Sequence, residues 1–232
     1  MNQTRKKKAV FSWSSGKDSA YALYKVLQAG EFEIVALVTN IAEERGRVKM
    51  HDVREGILDA QLAMIGLPVV KVRIPKPSPN SLYEERTAEA LTPFIEDGVT
   101  HMIFGDLFLE DIRAYREKQM AALDIECVFP LWGRNTKDLA HDMVVAGLEA
   151  TIVCINPKVL APDFAGRRFD RSLLRDLPEG VDPCGENGEF HTLVTAGPMM
   201  KGRLNITVGE AAERDNFVFT DVTLREAETA NV

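Results

Sequence analysis

Near the start of the chain the apolar run Lys8-Ala9-Val10-Phe11-Ser12 leads directly into Trp13-Ser14-Ser15-Gly16-Lys17-Asp18-Ser19. Beyond it, Ala20, Leu23, Tyr24 and Leu27 recur at three- and four-residue spacing, the period of a helix. The stretch therefore reads as a short strand, a loop of small residues and a helix. Ser14, Ser15 and Gly16 carry little or no side chain, so a bulky anion can approach the backbone. The first amides of the helix lack intrahelical partners and point at that space. Lys17 adds a positive charge, and Ser14 and Ser19 add hydroxyls. Together these are the parts of a phosphate cradle. The plain alternative is an ordinary strand-to-helix turn with Asp18 or Ser19 as the N-cap.

The same rhythm continues for about 130 residues. Strand-length apolar runs at 33–40, 69–74, 101–104 and 126–129 alternate with helical patterns near 53–64, 81–97 and 110–123. Gly66 and Pro68 end the first of those helices. Five strands alternating with helices predict a doubly wound parallel sheet covered on both faces. Ligands of such sheets bind beyond the carboxyl ends of the strands. There the loops at Ser12–Ser19, Thr39–Asn40 and Gly105–Asp106 are small and polar, as one shared site requires. From about Pro130 the rhythm changes. A helix over 135–146 with Thr136 as N-cap, a strand at 150–155, a charged loop-rich tract over 162–183, and alternating segments at 204–208 and 217–219 predict a smaller α+β unit. The expected division is 1–130 and 131–232.

Composition narrows the function classes. Net charge is −7, from 28 Lys and Arg against 35 Asp and Glu, which argues against general nucleic-acid binding. Arg5, Lys6, Lys7 and Lys8 read as a solvated tail. No signal-type apolar region and no apolar run of about 18 residues follows, so the expected compartment is the cytoplasm, with no membrane partner. Cys127, Cys154 and Cys184 form no CxxC pair. The sequence is compatible with a homo-oligomer through the second unit.

A second unusual run is Gly185-Glu186-Asn187-Gly188-Glu189-Phe190-His191-Thr192. It is either a hairpin loop with solvated charges or a group of acids, an amide and an imidazole facing the sheet's carboxyl edge.

The first loop is not a Walker A sequence, which has a hydroxyl where Asp18 stands. An acid in a phosphate site makes sense if it holds Mg²⁺ between phosphates. Ser14-Ser15-Gly16-Lys17-Asp18-Ser19 resembles the SGGKDS loop of the N-type ATP pyrophosphatases, with Ser15 in place of the first Gly. That resemblance implies a Rossmann-like fold of the adenine nucleotide alpha hydrolase type and cleavage of ATP between its α and β phosphates. The chain further resembles the diphthine–ammonia ligase family. The resemblance rests on that loop, Met50-His51, Phe104-Gly105-Asp106, Asp111 with Arg113 and Arg116, Pro130-Leu131-Trp132-Gly133-Arg134-Asn135, and Glu186 to Thr192. It departs at Asn187, where the family has Gly, and at His191, where the family has an acid.

The resemblance implies an AMP-forming ligase that adenylates a carboxylate and amidates it with ammonia, using ATP and Mg²⁺. Lys17, Asp18, Glu186 and Glu189 would be catalytic, with Asp18 on the metal. Ser14, Ser15, Gly16, Ser19, Thr39, Asn40, Met50, His51 and Gly105 would hold ATP. Asp111, Arg113, Arg116, Trp132, Arg134, Asn187 and His191 would bind the acceptor, either protein-borne diphthine or a small molecule such as a corrinoid acid. A nucleotide-binding regulator and an RNA-modifying enzyme are the readings from other classes. A sensor needs no acceptor site, and the acidic balance opposes RNA.

Overall fold

The computed structural model describes residues 6–225; Arg5 of the basic run lies outside them. The first half contains β1 (Lys7–Ser12), α1 (Lys17–Ala29), β2 (Phe32–Ala42), β3 (Arg47–Val48) and α2 (Glu55–Ile65). It continues through β4 (Val69–Ile74), α3 (Asn80–Glu96), β5 (His101–Ile103), α4 (Glu110–Ala121) and β6 (Glu126–Val128). The five parallel strands lie in the order β4-β2-β1-β5-β6, and the two-residue β3 pairs antiparallel with the end of β2. The chain winds outward from β1 to β4, then crosses back to β5 on the other side of β1. The strand order thus reverses between β1 and β5, where the loops leaving the two strands part and open a crevice.

Alternation along the strands explains why both faces are covered. Ala9 and Phe11 of β1 join Leu37, Ile41 and Ile103 in a cluster with α1 and α2. Val10 joins Ala36, Val38, Val72 and Met102 on the other face, against Leu91 of α3 and Met120 of α4. None of the described helices is long and apolar enough to cross a membrane.

The second half holds α5 (Thr136–Val145), β7 (Glu149–Ile155), α6 (Arg171–Asp176), β8 (Phe190–Ala196), β9 (Ile206–Arg214) and β10 (Phe217–Leu224). Its four strands form a separate antiparallel sheet in the order β8-β7-β10-β9. The expected antiparallel pair is β9 and β10, closed by Asp215 and Asn216, whose φ angles of 52° and 64° suit a two-residue hairpin turn. Two caps differ from expectation. Asn135, not Thr136, caps α5, because its side chain accepts from the Lys137 and Asp138 amides. The α1 cap is Gly16 with no side-chain bond, since the Ser19 hydroxyl instead donates back to the Gly16 carbonyl at 3.0 Å. The loop-rich tract also contains α6, capped by Asp170 at the Leu173 amide.

The two sheets share one apolar cluster, in which Ile152, Leu193 and Val194 of the second continue the core of the first. A polar strap crosses it. Gln61 of α2, fully buried, accepts from Trp13 Nε1 at 3.0 Å. Its amide donates to the carbonyls of Ser15 at 3.2 Å and Val194 at 2.7 Å. Beside it the Val194 amide donates to the Ser15 carbonyl at 2.9 Å. The loop after β1 is therefore stitched to β8. Replacing Gln61 by Leu keeps the volume but strands the Trp13 donor. Gln61→Leu is expected to lower unfolding free energy by about 2–4 kcal/mol in urea titrations; an unchanged midpoint would show that the strap carries no stability.

Candidate active site

The crevice between the β1 and β5 loops opens into a cleft of about 660 Å³ that receives residues from both halves of the chain. Ser14, Lys17, Asp18 and Ser19 of the first loop line its floor, whereas Ser15, fully buried, and Gly16 of the same loop do not line it. Ser15 adopts a left-handed φ of 69° at the position where the resembled motif has Gly. Ser14 and Ser19 hydroxyls lie 3.0 Å apart, and the Gly16 amide donates to Ser14 Oγ at 3.3 Å. The Lys17 amide donates to Thr192 Oγ1 of β8 at 3.1 Å, which caps α1 from the second sheet.

Gly105 explains how the β5 loop comes so close. A Cβ there would lie 2.9 Å from Ser19 Cα and N and 3.1 Å from the Asp18 carbonyl carbon, all backbone. Only a glycine lets this loop lie on the first turn of α1. Gly16 is constrained likewise, because a Cβ would lie 2.5 Å from His51 Cε1.

Lys17 is 1% exposed, and its ammonium contacts Asp18 Oδ2 at 2.8 Å and the Cys184 carbonyl. The rings of Phe190 and Phe169 lie 5.3 and 5.6 Å from it. Burial works against the charge, but Asp18 and its neighbours outweigh it, so Lys17 stays protonated with a raised pKa. The ammonium thus anchors the turn that carries Glu186. Burial lifts the Asp18 carboxyl above its ordinary range against the pull of Lys17, and Asp18 Oδ1 is buried without a partner among the described residues.

Glu186 enters from the opposite wall and accepts from the Leu107 amide at 2.7 Å. Burial first, then the Asp18 charge, pushes its carboxyl up to about 7. Glu189 stands one layer behind. Its Oε1 takes the Asp182 amide at 3.0 Å and Asn187 Nδ2 at 3.1 Å, so Asn187 and Glu189 shape the turn rather than line the cleft. His51 Nδ1 lies 2.8 Å from the Thr192 carbonyl, so this nitrogen is the donor, and burial lowers the pKa to about 4. His191 packs against it with ring centres 4.9 Å apart; burial holds it at about 3, and its Nε2 has no partner among the described residues. Both imidazoles are neutral at pH 7.

Of the other expected residues, Asn40, Met50 and Arg116 line the cleft. Arg116 pairs with Asp106 at 2.7 Å and lies 4.5 Å from the centre of the Phe104 ring. Thr39 does not line it; fully buried, it donates its hydroxyl to the Trp13 carbonyl. Asp111 is exposed on the first turn of α4. Arg113 stacks 4.7 Å from the Trp132 ring and pairs with Glu117, while Arg134 pairs with Asp142. These four residues and Trp132 lie outside the cleft lining.

Sequence reasoning missed Tyr83 of α3 and Tyr115 of α4, which form the far wall. Asn40 Nδ2 donates to Tyr83 Oη at 3.3 Å. Burial, with Glu84 beside it, raises Tyr115 to about 12, so it remains a donor. The spacing of Ile112, Tyr115 and Arg116 marks one helix face and was the available signal.

Two expectations follow from this geometry. Gly105→Ala drives a methyl into the Ser19 and Asp18 backbone and is expected to abolish nucleotide binding in calorimetry; binding within threefold of the parent would contradict the close approach. The second concerns Glu186. Below pH 4.5 its carboxyl is protonated in both folded and unfolded chains. Between 4.5 and about 7 only the unfolded chain ionises, so this contribution to stability is lost as pH rises through that window. Glu186→Gln keeps an acceptor for the Leu107 amide. Its stability relative to the parent is expected to rise by about 3 kcal/mol between pH 4 and 8 without nucleotide or metal. A pH-independent difference would show an ordinary carboxylate.

The chain matches the family model for the diphthamide synthase N-terminal domain over residues 6–123 and that for the C-terminal domain over 135–226. It is 26% identical over 223 residues to the diphthine–ammonia ligase of Schizosaccharomyces pombe, covering 88% of this chain but 36% of that protein. It is 24% identical over 232 residues to the diphthine–ammonia ligase of Bos taurus, covering 90% and 86% of the two chains. Against that of Danio rerio it is 26% identical over 236 residues, covering 90% of each. With two family models matched end to end over the sheets that meet at this cleft, the chain belongs to the diphthamide synthase family.

Proposed function

We propose that this protein is an ATP-dependent, AMP-forming ligase that adenylates an acceptor carboxylate and passes it to ammonia, with protein-borne diphthine as the acceptor. The observation that carries the reading is the convergence of Asp18 of the phosphate loop and Glu186 of the second-half motif on one cleft. In this reading residues 1–130 hold ATP and residues 131–232 complete the acceptor side.

The β and γ phosphates rest on the loop from Ser14 to Ser19, where backbone amides stabilise the charge of departing pyrophosphate. Asn40, Met50 and Tyr83 wall the adenosine. Among the described residues, no three or more His, Cys, Asp or Glu side chains are clustered to hold a metal. The donor set instead fits Mg²⁺, which takes one or two carboxylates together with substrate phosphates, and Asp18 Oδ1 is the unpartnered oxygen available for it. Bound there, Mg²⁺ supplies charge neutralisation to the phosphates. Arg116, held by Asp106 and Phe104, is the cation on the acceptor side for the carboxylate. Glu186, with its carboxyl near neutrality, takes the proton lost when ammonia attacks the adenylate.

His191 favours a second reading of the acceptor alone. A neutral buried ring stands where the resembled motif has an acid, which changes the charges that the acceptor pocket tolerates, and a corrinoid carboxylic acid is that alternative.

The deciding assay offers ATP, Mg²⁺ and ammonium with diphthine-bearing elongation factor or a corrinoid carboxylic acid. AMP, pyrophosphate and amide in equal amounts with one acceptor support the ligase and identify its substrate. Asp18→Ala is expected to reduce that turnover on the order of a thousandfold. Formation of ADP and phosphate would overturn the adenylation mechanism, and tight ATP binding without turnover under either acceptor would favour a regulator.

A further inference from the structure

A second cavity, of about 630 Å³, lies in the second half of the chain, behind the phosphate loop and separate from the cleft. It exists because β7 is flanked unevenly. β10 pairs with β7 only at Cys154 and Ile155, while residues 166–169 follow its earlier part through Phe169 N to Ala150 O at 2.8 Å and Ile152 N to Arg167 O at 2.9 Å. Between that segment, the root of β9 and the turn at 203–206, a hollow is left. Its walls are apolar, from Leu148, Phe169, Leu204, Ile206 and Val208.

Its rim is cationic. Arg168, Arg203 and Arg225 face Glu149 and Asp170 there. Both carboxylates are already engaged: Glu149 by the two terminal nitrogens of Arg203, and Asp170 by the Leu173 amide it caps. Arg168 is exposed and makes no hydrogen bond or ion pair among the described residues, although its neighbour Arg167 pairs with Asp176 at 2.7 Å. Thr151, cross-strand from Arg168 and 5% exposed, also lines the cavity, and its hydroxyl makes no hydrogen bond among the described residues. An exposed guanidinium without an ion pair, a hydroxyl without a hydrogen-bond partner among the described residues, and apolar walls make an anion site with a hydrophobic pocket beneath it.

We propose that this cavity binds a small amphipathic anion, an organic carboxylate or phosphate whose head group meets Arg168 and Thr151 and whose apolar body rests on Phe169, Ile206 and Val208. The site is not the ATP cleft, and the proposal does not depend on the ligase reading. Phe169 is the shared wall: one side lines this cavity, and its ring centre lies 5.6 Å from the Lys17 ammonium of the phosphate loop. An occupant therefore presses on the ring against which the buried ammonium is packed, a route by which the second site can bias the first.

The test uses 8-anilinonaphthalene-1-sulfonate, a naphthyl body with one oxyanion, titrated by fluorescence into the full chain saturated with ATP and Mg²⁺. One probe per chain is expected. Arg168→Glu is expected to weaken it about tenfold or more, Arg168→Lys less, and Thr151→Val about threefold, with ATP affinity unchanged in the Arg168 variants as the check on folding. Displacement by octanoate identifies a carboxylate ligand, and displacement by octyl phosphate a phosphate ligand; either supports the site. Probe binding that is absent from the ATP-saturated chain, that is indifferent to Arg168→Glu, or that yields to neither octyl compound would overturn it.

Discussion

The site depends on one buried cation. Lys17 has almost no access to water, and an ammonium taken out of water is stable only where charge and dipoles replace its hydration. Asp18, the Cys184 carbonyl and two aromatic faces supply that replacement. Because Lys17 and Asp18 belong to the first sheet's loop and Cys184, Phe169 and Phe190 to the second half, the charge can be satisfied only when both halves are assembled. Ion pairs of this kind contribute little as isolated contacts, since desolvation offsets their attraction. What this one decides is position: it places the turn bearing Glu186 across the crevice from Asp18.

The neighbouring contacts repeat that logic with neutral groups. Gln61, Thr192 and Val194 tie the phosphate loop to β8, and His51 is held by a β8 carbonyl. Further out, Asp52 pairs with Arg47 and with Arg214 of β9, and Asp221 of β10 pairs with Arg54. The hairpin of the second sheet is thereby braced against the loop that carries Met50 and His51. A cleft built this way has its acid and its imidazoles held in place by contacts from both sheets. The carboxyl of Glu186 is lifted by the same enclosure that excludes water.

Much of this was legible in the residues. Alternation of apolar runs with helical spacing implied the parallel sheet, and the small residues of 14–16 and 105 implied a loop pair able to approach an anion. The run from Glu186 to Thr192 stood out by chemistry alone. What periodicity could not show is which polar residues are inward-facing. Thr39 and Asn40, expected in a loop, are neighbours inside β2, which runs on to Ala42 because β4 pairs with it that far; one is sealed beneath Trp13 and the other lines the cleft. Arg113 and Arg116 share a helix, but aromatic stacking and Glu117 hold the first outside while Asp106 holds the second at the site.

By itself the sequence determined the fold class, the strand–loop–helix entry at 12–19 and the residue types of the second motif, because these rest on local period, side-chain size and spacing. Only the tertiary structure decided that the ammonium of Lys17 is buried beneath the Cys184 turn, that Glu189 supports rather than lines the cleft, and that Tyr83 and Tyr115 close its far side. It alone also opened the second cavity behind Phe169. These facts depend on contacts between residues far apart in the chain, and such contacts leave no period in the sequence from which to read them.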